Sequence, residues 1–547
     1  MATVEFGLGD LNSLLGQKLP QEQVQEACAM LGMPLERTEG DTMVLEVNPN
    51  RPDWLSVEGI ARSLSSFLSI RTGMRKYSFR EPATTALVDK SFLAAGRPYC
   101  AAAIARNVTL SDELLRAMMQ LQEKLCETLG RRRTKVSIGT YDLSRLSPPF
   151  YYKGFAPDAL SFVPLEMGEK LSLREILERH PKGRLYAHIL DGISTYPVIT
   201  DSKGEVLALI PITNGESSKL VAGAASDVFI EANGTSRNAV EDSIAILCAQ
   251  LADRGAAIEQ IEFKGAVNVV TPCSKERRVR VSAEAVRKLL GIETSCEQIA
   301  SSLGRMGFDA KVAEAGVVAA TVPLYRSDIM HEADLIEDVG IAYGYQNFSG
   351  REPPFATIGA KHQVEAFADR LRQLMAGLGF QDCITFTLTN ENVHYARMLL
   401  QPSQRVQIGN PLTTETTMVR TSILPGLLSV LEANKDQKYP QRLSEVGDVV
   451  LIDSQSPQGC STKKKLCAVV AGKTASLSEI KSVVEALLKE LEFPYGLSPR
   501  DFPFFVGTRC AAVQGDKVEG FFGEIHPQVL EGFNIEMPVA AFELWFD

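Results

Sequence analysis

The chain has 547 residues, of which 45% are hydrophobic and 23% are charged. That length predicts three or four domains of roughly 150 residues, each able to bury its own core, and the composition excludes a disordered, collagen-like or coiled-coil protein. The formal net charge is −10. The overall field therefore does not attract nucleic acid, and any RNA contact must come from local basic patches or from another chain.

The sequence predicts a cytoplasmic protein without a membrane span. No run approaches the roughly 18 apolar residues that a membrane helix needs. The first residues include Glu5 and Asp10, where a signal peptide would be basic and then apolar. The ten cysteines form no CxxC pair, which disfavours zinc ribbons and thioredoxin-like redox sites.

The first segment, about residues 1–88, is predicted to hold two helices around a short strand. Apolar spacing indicates a helix over Gln21–Leu31, a strand over Met43–Val47, and a helix that Asp53 or Ser56 caps and that turns Ile60, Ala61, Leu64 and Phe67 inward. The polar run Arg71–Thr85 is predicted to be a linker.

The remaining chain divides into three further segments, about residues 89–270, 271–350 and 355–547. The predicted elements are strands over Pro98–Val108, 206–210, 227–235, 276–282 and 317–323, and helices over Ser111–Leu129, Arg237–Ala256, 283–290, Val364–Leu378 and Leu477–Leu491. Strands and helices alternate irregularly and no repeat is visible, which favours an α+β multidomain protein over a doubly wound parallel sheet.

Common catalytic signatures are missing from the sequence. There is no GxxxxGK[ST] phosphate loop, GxSxG elbow, HExxH helix or strand-linked GxGxxG. The six histidines show no ligand spacing, which disfavours a histidine-based zinc site.

A cluster of carboxylates is a candidate metal site. Asp334, Glu337 and Asp338 stand at i, i+3 and i+4, which places them on one helical face, and Asp328 lies just upstream. Four hard oxygen donors suit Mg²⁺. The alternative is that acidic residues in the first turns of a helix complement its dipole and face solvent.

Two further regions could bind ligands. The turns Asn214–Glu216 and Phe229–Thr235 could present backbone N–H groups and a carboxylate to a small molecule, or they are ordinary polar turns. The basic run Arg131–Lys135 is either a solvated helix end or a phosphate-contact patch. In the second case its neighbours would offer the stacking faces that RNA binders use, namely Tyr141, Phe150, Tyr151 and Tyr152.

Taken in order, several motifs resemble the beta chain of phenylalanyl-tRNA synthetases, in the short form of archaea and the eukaryotic cytosol. The most specific is YRSDI followed by DLIEDVGIAYGY, and the others are NPNRPDWLSVEGIAR, KVSIGTYDL, PPFYY, PITNGESSKL, VFIEANGT, NPLTTETTMVRTSILPGLL and GEIHPQVL. The resemblance extends over the whole chain.

The resemblance implies an architecture and a reaction. Residues 1–88 would form a B1-like first domain, 89–270 a B3/B4-type editing domain, 271–350 a winged-helix-like B5 domain, and 355–547 a class II synthetase-like antiparallel sheet without catalysis. An alpha subunit would hold the synthetic site for ATP, phenylalanine and tRNA-Phe in a heterotetramer of two alpha and two beta chains. The beta chain would hydrolyse mischarged Tyr-tRNA-Phe. A stand-alone tRNA-binding or trans-editing hydrolase is the alternative.

The resemblance also assigns site residues. The family's magnesium site falls on Asp328, Asp334, Glu337 and Asp338. Candidates for the editing pocket are Gly215, Glu231, Asn233 and Thr235. Asn233 stands where the family usually has Thr, and Ser236 where it often has Asp.

Class II synthetases hold ATP with an arginine and a carboxylate on one strand, and with a second arginine after a Gly-rich strand. Arg442 and Glu445 look like a remnant of the first pair, and the stretch 520–533 has no arginine. Without that second arginine the charge on the transferring phosphate would not be stabilised, so we expect no synthetic activity from this chain alone.

Overall fold

The computed structural model of the protein describes residues 2–223, 225–273, 276–350 and 352–546. The chain divides into two compact units, Met1–Arg351 and Glu352–Asp547. Within the described residues, no helix is both long and apolar enough to cross a membrane.

The first unit begins with a three-stranded antiparallel sheet in the order β1-β3-β2. Its elements are β1 (Ala2–Gly7), α1 (Leu8–Leu15), α2 (Gln21–Met30), β2 (Leu35–Glu39), β3 (Thr42–Val47) and α3 (Val57–Phe67). The two predicted helices and the strand are confirmed. Of the two proposed caps, Ser56 is the one that accepts a hydrogen bond from the Gly59 N–H of α3.

A ten-stranded sheet forms the centre of the first unit. Its strands run in the order β12-β11-β10-β7-β4-β14-β5-β13-β6, with β15 beside β14. The strands are β4 (Phe79–Val88), β5 (Tyr99–Thr109), β6 (Val136–Asp142), β7 (Phe150–Phe155), β10 (Tyr196–Thr200), β11 (Val206–Leu209), β12 (Thr213–Asn214), β13 (Ala225–Gly234), β14 (Ala257–Gly265) and β15 (Val269–Thr271). The intervening elements are α4 (Lys90–Ala94), α5 (Asp112–Glu127), β8 (Ser161–Phe162), β9 (Leu171–Ser172), α6 (Leu173–Arg179), α7 (Pro181–Tyr186) and α8 (Arg237–Asp253).

The linker predicted over Arg71–Thr85 is wrong from Phe79 onward. Residues 79–88 form β4, which pairs in parallel with β14 and with β7. The segment lacks a strong apolar alternation, and its partner β14 lies about 170 residues later in the chain, so local pattern gave no sign of the pairing. Residues 79–88 thus lie in the ten-stranded sheet.

The ten-stranded sheet has a helical face and an aromatic face. Helices α5 and α8 pack on one face. The other face buries aromatic rings, among them Phe92, Tyr141, Phe150, Tyr152, Phe229 and Phe263. The two edge strands of the sheet, β6 and β12, approach each other. Arg133, just before β6, donates to the carbonyl oxygens of Pro211 and Ile212, just before β12, at 3.0 and 2.9 Å.

The first unit ends with a second three-stranded sheet, in the order β16-β18-β17. Three helices pack on it around one apolar core. The elements are β16 (Arg277–Ser282), α9 (Ala283–Leu290), α10 (Cys296–Arg305), β17 (Asp309–Glu314), β18 (Val317–Val322) and α11 (Glu332–Tyr343).

The second unit is built on a seven-stranded, mostly antiparallel sheet in the order β19-β22-β23-β27-β26-β25-β24. Its strands are β19 (Gln381–Asp382), β22 (Gln441–Ile452), β23 (Cys460–Ala471), β24 (Gly496–Pro499), β25 (Phe505–Gln514), β26 (Val518–Ile525) and β27 (Val539–Phe546), with the pair β20 (Leu388–Thr389) and β21 (Met418–Val419) beside it. The helices are α12 (Gln363–Gly377), α13 (Leu424–Ala433), α14 (Leu477–Glu490) and α15 (Pro527–Gly532).

A buried carboxylate joins the sheet of the second unit to α13. Glu543 on β27 accepts from the backbone N–H groups of Ile423 and Leu424 at 2.9 and 3.0 Å, and from Lys465 on β23 at 2.8 Å. Burial alone would raise the pKa of Glu543, but Lys465 and these hydrogen bonds hold it below its ordinary value. The start of α13 is thereby fixed on the sheet.

Candidate functional site

A cavity of about 480 Å³ lies where the edge strands β6 and β12 approach each other. Its wall is mostly apolar and comes from α5, β6 and the segment between β11 and β12, including Leu115, Met119, Ile138, Leu209, Ile210 and Ile212. Polar and charged side chains line it as well, among them Thr140, Asn214, Ser218, Glu231, Glu123, Arg133, His180 and Lys182. A concave, mostly apolar surface that carries fixed polar groups is the usual form of a small-molecule site.

Glu231 is the buried acid of this cavity. It lies in β13 directly opposite Gly139 of β6, and only 2% of it is exposed. Burial raises its pKa to about 7, although Asn233, Arg97 and Tyr141 partly oppose that shift. Glu231 therefore exchanges its proton close to neutral pH.

The space for the Glu231 carboxylate exists because its cross-strand neighbour is glycine. A Cβ atom at Gly139 would lie 2.0 Å from the Tyr141 hydroxyl oxygen and 2.7 Å from Glu231 Oε1. The Tyr141 hydroxyl donates to Glu231 Oε1 at 3.3 Å and lies 3.4 Å from Asn214 Oδ1. Any larger residue at position 139 would displace one of these groups.

The predicted pocket residues take different places. Asn233 lies behind Glu231 and donates from Nδ2 to Glu231 Oε2 at 2.8 Å. Gly215 supports the cavity wall, since its N–H donates to the Leu207 carbonyl at 2.7 Å and a Cβ there would lie 2.4 Å from the Val206 carbonyl oxygen. Thr235 is exposed, and its hydroxyl donates to the Thr134 carbonyl. The structure thus brings Glu231 and Asn233 together and leaves Thr235 outside the cavity.

The basic run before β6 forms a turn in the left-handed region. Arg131, Arg132 and Arg133 have φ values of 45°, 51° and 64°, and three consecutive non-glycine residues in this region are costly. Arg131 and Arg132 are exposed, whereas Arg133 is buried in the cavity wall. The run is therefore neither a simple solvated helix end nor a uniform patch.

The prediction of stacking faces around this run is wrong for three of the four aromatic residues. Tyr141, Phe150 and Tyr152 are fully buried, and only Tyr151 is exposed. Side chains alternate between the faces of a strand, and in β6 and β7 these three rings point into the aromatic core.

The four predicted magnesium ligands do not converge. Arg326 donates from Nη2 to Asp328 Oδ2 and to Asp338 Oδ2, both at 2.7 Å, so a guanidinium lies between these two carboxylates. Asp334 instead accepts the backbone N–H bonds of Met330 and His331 at the start of α11, and Glu337 is exposed. Among the described residues, no three or more acidic, histidine or cysteine side chains are arranged to hold a metal ion. As they stand, these residues do not fit a shared Mg²⁺ site.

Arg442 and Glu445 do not form the arginine–carboxylate pair with which class II synthetases hold ATP. Three residues apart on β22, they point to opposite faces of the sheet. Arg442 pairs with Glu479 of α14, and Glu445 is buried against Arg420 at 2.7 Å. Both side chains are bound to other residues of the second unit.

Sequence reasoning missed Arg97, which is buried beside Asn233. It stands alone between Gly96 and Pro98, in no motif and ahead of a strand, so nothing local distinguishes it from a surface arginine. Only the pairing of β13 with β5 and with β6 reveals its partners. Strand alternation along β6 could have placed Tyr141 on the face of Glu231, once that pairing was known.

Comparisons with known proteins give a consistent result. Residues 351–546 match the phenylalanyl tRNA synthetase beta chain CLM domain, and residues 279–345 match the tRNA synthetase B5 domain. The chain is 41% identical to the phenylalanine–tRNA ligase beta subunit of Archaeoglobus fulgidus, over 100% of this chain and 98% of that protein. It is 37% identical to the corresponding subunit of Methanocaldococcus jannaschii, over 100% of both chains.

A solved structure matches part of the chain. The crystal structure of an N-terminal fragment of the phenylalanyl-tRNA synthetase beta subunit from Pyrococcus horikoshii is similar with a TM-score of 0.60 and 33% identity. The similarity covers 62% of this chain and 99% of the fragment.

The raised pKa of Glu231 predicts a pH-dependent cost to stability. The folded protein binds this proton more tightly than the unfolded chain, so stability falls as pH rises from the ordinary value of 4.5 to about 7. Once Glu231 is ionised, the free energy of unfolding is lower by up to about 3 kcal/mol. Glu231→Gln should therefore melt at a higher temperature than the parent at about pH 8 and at the same temperature at about pH 5. Glu26→Gln is the control, because Glu26 is exposed and its replacement should not change the melting temperature at either pH. Equal melting temperatures of Glu231→Gln and the parent at both pH values would mean that Glu231 is hydrated.

The position of Arg326 predicts the response of the acidic cluster to magnesium. We expect MgCl₂ to shift the melting temperature of the parent and of the double variant Asp334→Ala, Glu337→Ala equally, because the Arg326 guanidinium already lies between Asp328 and Asp338 and the four carboxylates do not share a site. NaCl at equal ionic strength controls for screening. A larger magnesium shift in the parent would show that the cation draws the carboxylates together and would restore the metal site.

Proposed function

The chain belongs to the family of phenylalanine–tRNA ligase beta subunits, and from this we propose that it works with an alpha subunit in the ATP-dependent attachment of phenylalanine to tRNA-Phe. The alpha subunit holds the synthetic site and binds ATP and phenylalanine. The complex is a heterotetramer of two alpha and two beta chains in the cytoplasm. The alternative of a stand-alone hydrolase is not favoured, because ligase subunits match the chain over its full length.

The four-domain division is part of this proposal. The B5 domain corresponds to the sheet β16-β18-β17 with α9 to α11, and the match over residues 279–345 supports it. The class II-like domain corresponds to the seven-stranded sheet, with the match over residues 351–546. The editing domain comprises the ten-stranded sheet, and it therefore begins at β4 rather than at residue 89.

We propose further that the cavity hydrolyses mischarged Tyr-tRNA-Phe. The observation that carries this proposal is a buried hydrogen-bond acceptor, Glu231, in a cavity whose surface is mostly apolar and whose volume of about 480 Å³ admits an aromatic side chain. The phenol hydroxyl of a tyrosyl group can donate to Glu231, and a phenylalanyl group leaves that acceptor unpaired. Discrimination of this polar kind reaches roughly 10⁴-fold.

Glu231 acts in this proposal by holding the substrate. The α-amino group is common to both amino acids, so only a contact with the phenol separates tyrosine from phenylalanine. With the ring anchored, the ester carbon is held where water attacks it, and the ribose hydroxyl of the terminal nucleotide leaves with a proton. Positioning of this kind contributes to the rate without a general base.

The ion pairs of Arg442 and Glu445 in the second unit predict that the chain alone does not activate phenylalanine. Arg442 and Glu445 are bound to Glu479 and Arg420 on opposite faces of β22, so they do not form the arginine–carboxylate pair that would hold ATP. The purified chain should show no phenylalanine-dependent pyrophosphate exchange, and the complex with its alpha subunit should show it. Exchange by the pure chain would refute the assignment of synthesis to the alpha subunit.

Loss of the Glu231 carboxylate should affect hydrolysis and spare synthesis. In the assembled ligase, Glu231→Ala should slow deacylation of preformed Tyr-tRNA-Phe by about 100-fold, the size expected when a buried polar contact is lost. Charging of tRNA-Phe with phenylalanine should stay near the parental rate, because the synthetic site lies in another subunit.

The matched control is Glu259→Ala. Glu259 is a buried acid in β14 of the same sheet, where it pairs with Arg106 away from the cavity. It should leave deacylation unchanged. Equal loss of charging and deacylation in Glu231→Ala would assign Glu231 to folding or assembly, and unchanged deacylation would remove the cavity as the hydrolytic site.

A further inference from the structure

We propose that Arg97 is a positioning residue of the hydrolytic site, which fixes the side-chain amide of Asn233 and thereby makes Glu231 a hydrogen-bond acceptor for the substrate. The inference rests on the proposed deacylation of Tyr-tRNA-Phe and adds the residue that controls its specificity.

Arg97 is held at the junction of three elements around the cavity. Its Nε donates to Asn233 Oδ1 at 2.6 Å and its Nη2 to the Asn233 carbonyl at 2.8 Å, both in β13. Nη2 also donates to Ser137 Oγ of β6 at 3.0 Å, and Nη1 to the Arg133 carbonyl of the left-handed turn at 3.2 Å. With 2% exposure and four such bonds, the guanidinium has little freedom to move.

These contacts determine which way the Asn233 amide faces. Arginine has donors only, so the Asn233 atom that faces Arg97 must be the oxygen, which also accepts from Ser137 Oγ at 3.1 Å. The amide nitrogen must then face Glu231, where it lies 2.8 Å from Oε2. Glu231 Oε2 must therefore accept the hydrogen bond that Asn233 Nδ2 donates.

The amide separates the arginine from the carboxylate. A direct Arg97–Glu231 ion pair would occupy both carboxylate oxygens, as bidentate pairs do. Because Asn233 lies between them, only Oε2 of Glu231 accepts a hydrogen bond from this side. Oε1 of Glu231 has one long contact, 3.3 Å from the Tyr141 hydroxyl. Oε1 is thus available for a phenol hydroxyl in the cavity.

Arg97 also ties the cavity wall to the acceptor. It holds the carbonyl of Arg133, whose own side chain donates to the Pro211 and Ile212 carbonyls of the opposite wall. The Arg97 guanidinium thus contacts both the amide that orients Glu231 and the backbone of the arginine that bridges to the opposite wall.

Glu231 is the group in this cluster that titrates near neutral pH. The charged and titratable groups facing it are Arg97 and Cys100, and the hydroxyls of Tyr141 and Tyr152. Burial lowers the pKa of Arg97 to about 10, which leaves it protonated at neutral pH. Burial raises the pKa of Cys100, Tyr141 and Tyr152, so all three stay neutral. His180 also lines the cavity, where its Nδ1 accepts from the Lys182 N–H at 3.2 Å and its Nε2 lies 3.0 Å from the Leu165 carbonyl oxygen. Loss of the pH dependence in Glu231→Gln is therefore what assigns a deacylation profile through about 7 to Glu231.

The test is the pH profile of Tyr-tRNA-Phe deacylation by the assembled ligase, with the parent, Arg97→Lys and Arg106→Lys. Lysine keeps the charge but lacks the fork that holds Asn233, Ser137 and the Arg133 carbonyl together. Without the oriented amide, ionised Glu231 loses a hydrogen bond, so we expect the midpoint of the pH profile to rise by roughly one pH unit and the deacylation rate at pH 7 to fall about fivefold. The preference for Tyr-tRNA-Phe over Phe-tRNA-Phe should fall with it.

Arg106→Lys is the matched control, because Arg106 lies on the same strand, β5, and pairs with Glu259 and Asp227 away from the cavity. Should Arg97→Lys fail to fold, Asn233→Ala breaks the same link by removing the amide and should shift the midpoint in the same direction. Glu231→Gln must abolish the pH dependence if this acid is the titrating group.

The outcomes separate the two proposals. No deacylation by the parent would refute the hydrolytic function, and with it the role of Arg97. Deacylation by the parent that depends on Glu231, with an unchanged midpoint and preference in both Arg97→Lys and Asn233→Ala, would refute the role of Arg97 alone. A lower rate with an unshifted midpoint would make Arg97 a structural residue only.

Discussion

The cavity of the first unit depends on keeping one carboxylate buried without a direct counter-ion. Removing an ionisable group from water is costly, and an arginine in contact would reduce that cost. Here the arginine contacts the carboxylate only through the Asn233 amide, so Glu231 keeps a raised pKa and an accepting oxygen. Stability is given up at the point where we propose that a polar substrate group is recognised.

The sheet around Glu231 is built to allow this burial. Gly139 gives room for the carboxylate across the strand pair, and the left-handed turn at Arg131–Arg133 sends one guanidinium into the cavity wall while two stay in solvent. Strained backbone of this kind persists only where the surrounding contacts determine it. Such contacts are the hydrogen bond from Arg97 to the Arg133 carbonyl and the hydrogen bonds from the Arg133 side chain to the Pro211 and Ile212 carbonyls.

Local pattern predicted the elements and failed where the contacts are distant in sequence. The helices α2, α3, α5 and α8 follow from apolar spacing, and Ser56 caps α3 as one of two candidates. The strand β4 was missed because its partner β14 is far along the chain. The inward direction of Tyr141 and Tyr152 and the role of Arg97 also depend on strand pairing, which composition does not show. The resemblance named Glu231, Asn233 and Thr235 as pocket candidates, and the structure joins the first two by a hydrogen bond and leaves Thr235 at the surface.

The acidic cluster and the second unit show how internal pairing decides what charged residues can bind. Spacing placed Asp334, Glu337 and Asp338 on one helical face, but it could not show that Arg326 reaches Asp328 and Asp338. In the second unit, Glu445 pairs with Arg420 and Glu543 with Lys465, both buried.

A phosphate site needs cationic donors that are preorganised and still unpaired, and these cations already hold carboxylates of their own fold. Glu231 differs from those acids, because its nearest arginine is engaged with an amide and two neighbouring oxygens instead. That difference in pairing is why we propose the cavity of the first unit as the site of this chain's chemistry.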